Sequence, residues 1–291
     1  MPQNSFLKSP LNYTGGKHKL LPQLLPLFPN NINLFVDLFA GGCNVAINVT
    51  QAQRLLCCDT NSRIMALYRA LQVRDGQRVL SQIDRSIEMF RLSKDNEDGF
   101  LAFRDVYNAA PDPIDLYTLA AFSFNYQIRF NNRLQYNSSF GRDRSCFSTQ
   151  MRGNLIAFMR RIKSQQIRFE TASFDAFDPC RVDPGSLVYC DPPYLITTGN
   201  YNDGKRGFGG WDEAQERKLL ALLDDLNRKG VRFALSNVVE HKGQANRLLQ
   251  QWSAQYRVTG IDSDYSNASY HGKDRHAPSR EVLVVNFRQA V

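Results

Sequence analysis

Short apolar runs alternate with longer amphipathic stretches along most of the chain. Runs at 34–39, 55–59, 186–190 and 231–235 have the length and composition of buried strands. The stretch 212–228 spaces its apolar residues as an amphipathic helix does, and 281–287 predicts a late strand at an antiparallel edge. Strands that alternate with helices at this spacing predict an α/β sheet with helices on both faces and ligands at the carboxyl ends of the strands.

The pattern changes between residues 64 and 148. Helical stretches are predicted at 79–90, 100–107 and 116–125, and a polar, aromatic and arginine-rich segment follows them. We therefore expect a catalytic domain made of 1–63 and 149–291, with 64–148 inserted as a separate, mainly helical lobe. Within the lobe, 126–136 could form a β-hairpin, because Asn131 and Asn132 tolerate the positive φ of a tight turn.

Composition narrows the class of protein. The 291 residues are 43% hydrophobic and 22% charged, as in ordinary globular proteins. No apolar run approaches the roughly 20 residues that span a bilayer, and the N-terminal residues lack a signal-peptide pattern, so a cytoplasmic protein is expected. The six cysteines form no C-x-x-C pair and the four histidines no metal-binding spacing, so we expect reduced cysteines and no metal. No feature indicates an obligate protein partner.

A net charge of +8 with an isoelectric point near 9.2 favours a polyanionic partner, since lysine and arginine displace the counterions condensed on nucleic acid. Many basic proteins bind no nucleic acid, so charge alone does not show that nucleic acid is the partner.

The most specific motif is Asp191-Pro192-Pro193-Tyr194, directly after the strand 186–190. A strand end is where this architecture places catalytic groups. The amino group of a nucleobase is a poor nucleophile. If the Asp191 carboxylate and the Pro192 carbonyl each accept one of its hydrogen bonds, the lone pair can face a sulfonium methyl group, and Tyr194 would stack on the base. The alternative is a proline-stiffened turn with a capping aspartate.

A second motif runs from Asp37 through Ala40, Gly41 and Gly42, where a strand, a glycine turn and a helix start are expected. Glycines let the backbone approach a ligand closely. Asp59 ends the next strand, where a carboxylate can accept hydrogen bonds from ribose hydroxyls. The full G-x-G-x-x-G fingerprint is absent, which disfavours a dinucleotide and leaves S-adenosyl-L-methionine as the expected cofactor.

Taken together, these motifs resemble the Dam-type family of DNA adenine-N6 methyltransferases, in particular its phage branch. The resemblance covers nearly the whole chain and keeps the family's motif order: 13–17, 37–45, Asp59, 125–129, 140–142 and 191–194. It implies a Rossmann-like methyltransferase sheet with an inserted DNA-recognition lobe, and double-stranded DNA as the partner.

The resemblance also implies roles for individual residues. Phe174 and Asp175, after a strand at 167–170, would flank the cofactor adenine. Many members carry a further glycine where this chain has Cys43, so cofactor affinity could differ. The residues implied to line the cofactor pocket are Tyr13, Gly16, Lys17, Asp37, Ala40, Gly41, Gly42, Asp59 and Asp191. Without the resemblance, Lys17 would be expected to be a solvated lysine at a helix start.

In the lobe, Arg129 matches an arginine that reads guanine in G-A-T-C, as a guanidinium can do by donating twice to O6 and N7. Aromatic side chains beside it could fill the gap left by an extruded base. The residues expected to face DNA are Phe124, Asn125, Tyr126, Gln127, Arg129 and Arg142. Arg129 could instead contact phosphate, and Arg142 is more typical of a phosphate contact than of base reading.

Several alternatives stay open on the sequence. Residues 197–211 could be a lid or an exposed loop, and 262–280 could touch DNA. The substrate amine could belong to cytosine N4, RNA or a protein glutamine, although Asp191 as first motif residue is typical of adenine enzymes in such families. A DNA-binding module without catalysis is the rival from another class, and intact Asp191, Tyr194 and Asp59 disfavour it.

Overall fold

The computed structural model describes residues 6–13, 15–197, 211–262 and 279–288. Its core is one mixed sheet. In chain order the strands are β1 (Ile32–Asp37), β2 (Ala52–Asp59), β3 (Ile167–Thr171), β4 (Leu187–Cys190), β5 (Arg232–His241), β6 (Gln244–Ala245), β7 (Arg257–Ile261) and β8 (Ser279–Val285).

The strands lie in the order β3-β2-β1-β4-β5-β8-β7, with the short β6 paired to β5. The first five of these are parallel, and β8 is antiparallel to both β5 and β7. The chain order reverses between β1 and β4, which are hydrogen-bonded neighbours. Ligands of open α/β sheets bind outside the strand ends at such a switch point. The sheet order therefore directs attention to the residues after β1 and β4.

Adjacent residues of the central strands point to opposite faces of the sheet, as a two-residue period requires. Phe35 and Tyr189 belong to one buried cluster, whereas Val36 and Val188 belong to another. Both faces are apolar because helices cover each of them, and this explains why the parallel strands appear as continuous apolar runs in the sequence.

The described helices are α1 (Leu21–Leu24), α2 (Ser62–Val73), α3 (Gly76–Met89), α4 (Glu97–Ala109), α5 (Pro113–Phe122), α6 (Thr149–Ser164), α7 (Glu213–Arg228) and α8 (Arg247–Ser253). Every described helix after α1 begins at an Asn, Asp or Ser whose side chain accepts a first-turn backbone N–H. Such a cap contributes about 1 kcal/mol because it satisfies a donor without a partner inside the helix. Capping therefore fixes where the helices start.

A third buried cluster lies in the segment between β2 and β3, and it draws its members from residues 92–140. Helix α5 joins this cluster to the sheet, since Ile114 and Tyr117 pack in the sheet cluster while Leu116 and Leu119 pack in the third. The eight residues of α5 from Ile114 onward other than Asp115 are buried, as expected of a helix packed on all sides. Helix α2 also packs in the sheet cluster. The boundaries of an inserted domain stay a prediction.

The expected hairpin is represented by a single antiparallel bridge between Phe130 and Tyr136. The turn between them is closed by the Leu134 N–H, which donates to the Asn131 carbonyl over 2.9 Å. Leu134 adopts a positive φ of 60°. A regular two-stranded ladder in this segment stays a prediction.

Three details differ from the sequence expectations. The helix expected after the glycine turn is one short 3₁₀ turn, Ala46–Asn48, because Val49 is already extended. The helix expected at 116–125 ends at Phe122, since Ser123 is extended and Asn125 has φ of 53°. Strand β8 lies inside the sheet, and β7 forms that edge instead.

The described cysteines are all free thiols. Among the residues with assigned positions, no group of three or more His, Cys, Asp or Glu side chains could hold a metal ion. No helix in these same ranges is long and apolar enough to cross a membrane.

Candidate active site

Asp37 ends β1 and Asp191 follows β4, so the two carboxyl groups lie at neighbouring strand ends at the switch point. The parallel register pairs Asp37 with Tyr189, two residues before Asp191. Pro192 is buried and Pro193 half-buried beside them. The motif therefore lies where the sheet topology predicts a ligand site.

Lys17 contacts Asp191 directly, although 174 positions separate them in the chain. Its Nζ lies 2.8 Å from Asp191 Oδ2 and 3.7 Å from Glu281 Oε1, and it donates to the Gly15 carbonyl. The Lys17 side chain is 6% exposed, that of Asp191 17% and that of Glu281 1%. The alternative of a solvated lysine is therefore wrong, because the Lys17 ammonium is buried beside two carboxyl groups.

Tyr194 completes this group. Its hydroxyl lies 3.0 Å from Asp191 Oδ1 and 2.9 Å from Glu281 Oε1, and its ring lies 5.1 Å below the Lys17 ammonium. Each Asp191 oxygen therefore has a neighbour, Oδ2 on the lysine and Oδ1 on the tyrosine. The first and last residues of the motif are therefore held together by Lys17, from the N-terminal segment that precedes α1, and by Glu281, from β8.

The electrostatics of the group follow from its burial. Burial raises the pKa of Asp191 above its usual range, although Lys17 opposes this shift. Burial alone would lower the pKa of Lys17, but attraction to Asp191 and Glu281 outweighs it and raises that pKa. Burial, reinforced by Asp191, raises the pKa of Asp37 well above the ordinary aspartate range. Several carboxyl groups thus surround one ammonium group.

The glycine turn packs against Tyr13. A side chain at Gly41, where φ is +44°, would place its Cβ 2.8 Å from the Tyr13 ring, and one at Gly42 would meet Tyr13 Cβ at 2.9 Å. These glycines therefore permit a close approach of the N-terminal segment, which the sequence did not indicate. Cys43 also has a positive φ, 61°, so it stands at a position whose backbone favours glycine.

Asp59 holds the same turn from the other side. Its Oδ2 accepts from the Gly41 N–H and its Oδ1 from the Asn61 N–H, both at 2.8 Å. The Tyr68 hydroxyl donates to the Gly41 carbonyl at 2.8 Å. Both Asp59 carboxylate oxygens therefore accept backbone hydrogen bonds that fix the turn.

Three aromatic rings form a cluster beside the turn. The ring centroid of Phe39 lies 5.4 Å from that of Phe174, in a stacked arrangement, and 5.7 Å from that of Trp211, edge to face. Phe174 and Trp211 are buried, whereas Phe39 is half-buried and Asp175 is exposed. The buried Glu216 carboxylate fixes Trp211 by accepting from its indole N–H at 2.6 Å.

The residues expected to face DNA lie along 124–142. Phe124 and Arg129 are exposed, and Asn125 and Tyr126 both have positive φ, 53° and 57°. Arg142 is also exposed, but it pairs with Glu97. The Asn12 amide donates to the Asn125 carbonyl at 3.0 Å. This bond connects residues 124–142 to the segment before α1, which carries Lys17 to Asp191.

Some sequence expectations fall on residues outside the described ranges. These are Thr14, most of 197–211, and all of 262–280 except its ends. Conversely, the sequence interpretation did not identify Phe39, Trp211 or Glu281. Phe39 directly follows the end of β1, and Glu281 is the acidic residue that begins the apolar run of β8, so both positions carried a weak signal.

Comparison with known proteins identifies the family. The family model described as "D12 class N6 adenine-specific DNA methyltransferase" matches residues 13–267. The Type II methyltransferase M.FokI of Planomicrobium okeanokoites is 49% identical over 98% of this chain and 43% of its own length. Modification methylase StsI of Streptococcus sanguinis is 50% identical over 97% of this chain and 43% of its own.

The DNA adenine methylase of Escherichia coli K12 is 27% identical over 78% of this chain and 79% of its own length. The chain spans less than half the length of the two modification methylases. Because the family model covers most of its residues, from Tyr13 through the Asp191 motif, the chain belongs to the D12 class of N6 adenine-specific DNA methyltransferases.

Proposed function

We propose that the chain transfers a methyl group from S-adenosyl-L-methionine to the N6 amino group of adenine in double-stranded DNA. The observation that carries this proposal is the Asp191 carboxylate at the end of β4, held between Lys17 and Tyr194 at the switch point of the sheet. A fixed acceptor at this position is what a planar amine needs to be oriented.

The chain contributes acceptors and orientation. Asp191 and the Pro192 carbonyl each accept a hydrogen bond from one N–H group of the amine, which draws the nitrogen toward tetrahedral geometry and lets its lone pair face the methyl group. Pro192 and Pro193 stiffen the backbone that carries these acceptors. The Tyr194 ring stacks on the base. Asp191 is also the basic group placed to accept the proton that N6 loses on methylation.

The residues around the glycine turn fit the cofactor. The Asp59 carboxylate, which fixes the glycine turn at the end of β2, would accept hydrogen bonds from the ribose hydroxyls. The half-buried Phe39 ring beside Phe174 offers a surface for adenine. Asp191 supplies negative charge toward a sulfonium, and Asp37 lies beside it at the end of β1. When bound, the cofactor supplies an activated methyl group. The other residues of the proposed cofactor pocket are Tyr13, Gly16, Lys17, Ala40, Gly41, Gly42 and Asp175.

Recognition is assigned to the segment 64–148. Methylation inside a duplex requires the adenine to be extruded, and exposed Phe124 near Arg129 suits a segment that replaces it. G-A-T-C is the sequence that the Dam-type resemblance suggests. M.FokI and StsI are named as a type II methyltransferase and a modification methylase, and neither name specifies G-A-T-C. A recognition sequence other than G-A-T-C is therefore the second candidate.

The test uses a pool of duplexes with randomised sequence and cofactor with a labelled methyl group. Transfer to adenine N6, located by sequencing the modified positions, would support the proposal, and enrichment at G-A-T-C would support the Dam-type site. Asp191→Ala is the matched control, expected to lose at least about a thousandfold in rate while it still binds DNA. Label on cytosine, on RNA or on protein, or no transfer by the wild-type chain, would contradict the proposal.

A further inference from the structure

Glu281 is a buried carboxyl group at the site that the proposed reaction does not yet use. It lies on β8, where its backbone pairs with Val238 of β5 and Ile261 of β7. Its side chain is 1% exposed, and Oε1 approaches both the Tyr194 hydroxyl and the Lys17 ammonium. It therefore contacts the two side chains that contact Asp191.

The Tyr194 hydroxyl carries one proton, but it has carboxyl oxygens at 3.0 Å on Asp191 and at 2.9 Å on Glu281. It can donate to only one of them at a time. The hydroxyl thus has two alternative acceptors, one on the catalytic motif and one on β8. Lys17 likewise has a nearer partner in Asp191 and a farther one in Glu281.

The incoming adenine amine needs an acceptor position on Asp191. If Tyr194 donated only to Asp191 Oδ1, its hydroxyl would compete with the amine for that oxygen. A second acceptor lets the hydroxyl turn away without losing its hydrogen bond, which in a buried position would be costly. On the basis of the proposed adenine methylation, we propose that Glu281 is a positioning residue that withdraws the Tyr194 hydroxyl from Asp191 when the target amine arrives.

The charge of Glu281 acts on Asp191 in the same direction. Negative charge on Glu281 raises the pKa of Asp191, whereas Lys17 lowers it. Loss of the Glu281 charge should therefore shift the acid limb of the rate profile to lower pH. The titratable groups that face Asp191 from the surrounding elements are Lys17, Asp37, Tyr189, Cys190, Tyr194 and Glu281.

The experiment measures single-turnover methylation by the full chain carrying Glu281→Gln, Tyr194→Phe or both. A neutral amide oxygen accepts the Tyr194 hydroxyl less strongly than a carboxylate does, so Glu281→Gln weakens the alternative to Asp191. It should lower the methyl-transfer rate about tenfold or more, while cofactor affinity by calorimetry and the KM for DNA change by less than about threefold. In the Tyr194→Phe background the further effect of Glu281→Gln should shrink to less than about threefold, since the hydroxyl on which Glu281 acts is absent. Glu240→Gln, an exposed residue of β5, is the matched control and should be neutral.

The outcomes separate this inference from the proposed function. If the wild-type chain methylates adenine, then an unchanged rate in Glu281→Gln, equal effects in both tyrosine backgrounds, or an unmoved acid limb would each overturn the role of Glu281. Thermal melting checks folding, and a variant that melts early is replaced by Glu281→Asp, which keeps the charge and should restore most of the rate. Absence of adenine methylation in the wild type would instead overturn the proposed function.

Discussion

Asp37 and Lys17 are residue types that normally face water, yet they are only 2% and 5% exposed here. Lys17 stays charged because Asp191 and Glu281 surround its ammonium. Asp37 has like-charged neighbours and a weak backbone contact from the Phe39 N–H at 3.3 Å. Burial and the charge of Asp191 therefore make its ionised form unfavourable. The ionisation state of each residue therefore depends on the charged groups that the fold places beside it.

This difference predicts a pH-dependent stability effect at Asp37. Its pKa is raised in the folded chain, so the unfolded chain ionises first and the folded chain loses stability as pH rises above the ordinary aspartate range. Asp37→Asn removes this loss. Without cofactor, the variant should melt on the order of 2–4 °C above the wild type at about pH 8, with a smaller gain at about pH 5. Asp105→Asn, at an exposed position of α4, is the control, and an equal gain at both pH values would contradict the expectation.

Asp59 is expected to serve both the glycine turn and the cofactor. Asp59→Ala removes acceptors from the Gly41 and Asn61 N–H groups together with a charged acceptor for ribose, so cofactor binding should weaken by about 1.5–3 kcal/mol. Calorimetry gives the affinity. Asp59→Asn separates the roles, because its side-chain oxygen can still accept one backbone bond. Wild-type affinity in Asp59→Ala would remove Asp59 from the cofactor site.

At the scale of elements, α5 connects the sheet to residues 124–142, which are expected to face DNA. It packs against α2, α3 and α4, and it ends at Phe122, just before the exposed Phe124. The Asn12–Asn125 hydrogen bond provides a second connection to the site. The position of residues 124–142 relative to Asp191 therefore depends on one fully packed helix and on the residues before α1.

Arg129 in this segment is the residue expected to read guanine. Arg129→Ala should reduce discrimination at one base by about 1–3 kcal/mol if the guanidinium makes a bidentate contact, because a phosphate contact would affect all sequences alike. Methylation rates are compared at one salt concentration on the best duplex and on each of its single-base variants. Arg133→Ala, in the adjacent turn, tests whether the effect is specific to Arg129. A uniform drop on every duplex would show a phosphate contact instead.

At the scale of the whole molecule, the proposed chemistry combines an activated methyl group with acceptors supplied by the chain. A sulfonium needs no Lewis acid to release its methyl group, and Lys17 already supplies the positive charge next to Asp191. The sheet switch point, the N-terminal segment and β8 each contribute one part of this arrangement.

Catalysis is therefore expected to proceed without a divalent metal. Activity measured after dialysis against a chelator should stay within about twofold of the untreated protein, at matched ionic strength because DNA affinity depends on salt. Loss of activity that one added metal restores would contradict this expectation, whereas a loss that any salt restores would report only on DNA binding.

The sequence by itself determined the elements and the order of the motifs. Continuous apolar runs identified β1, β2, β4 and the start of β5, because strands covered on both faces need no polar alternation. The motif at 191–194 and the glycine turn could be identified from local sequence, because each directly follows a predicted strand and contains residues suited to a ligand site. The helix expected after the glycine turn was wrong, because the chain forms only the 3₁₀ turn Ala46–Asn48 before the extended Val49.

Only the tertiary structure decided which side chains meet. Lys17 and Asp191 are brought together by the N-terminal segment, and Glu281 reaches Tyr194 across 87 positions because β8 inserts between β5 and β7. Local sequence carries no record of such pairings, since hydrophobic periodicity specifies which face of an element is buried but not which element covers it. The buried charges of this site depend on those long-range contacts, and for that reason their partners became known only from the fold.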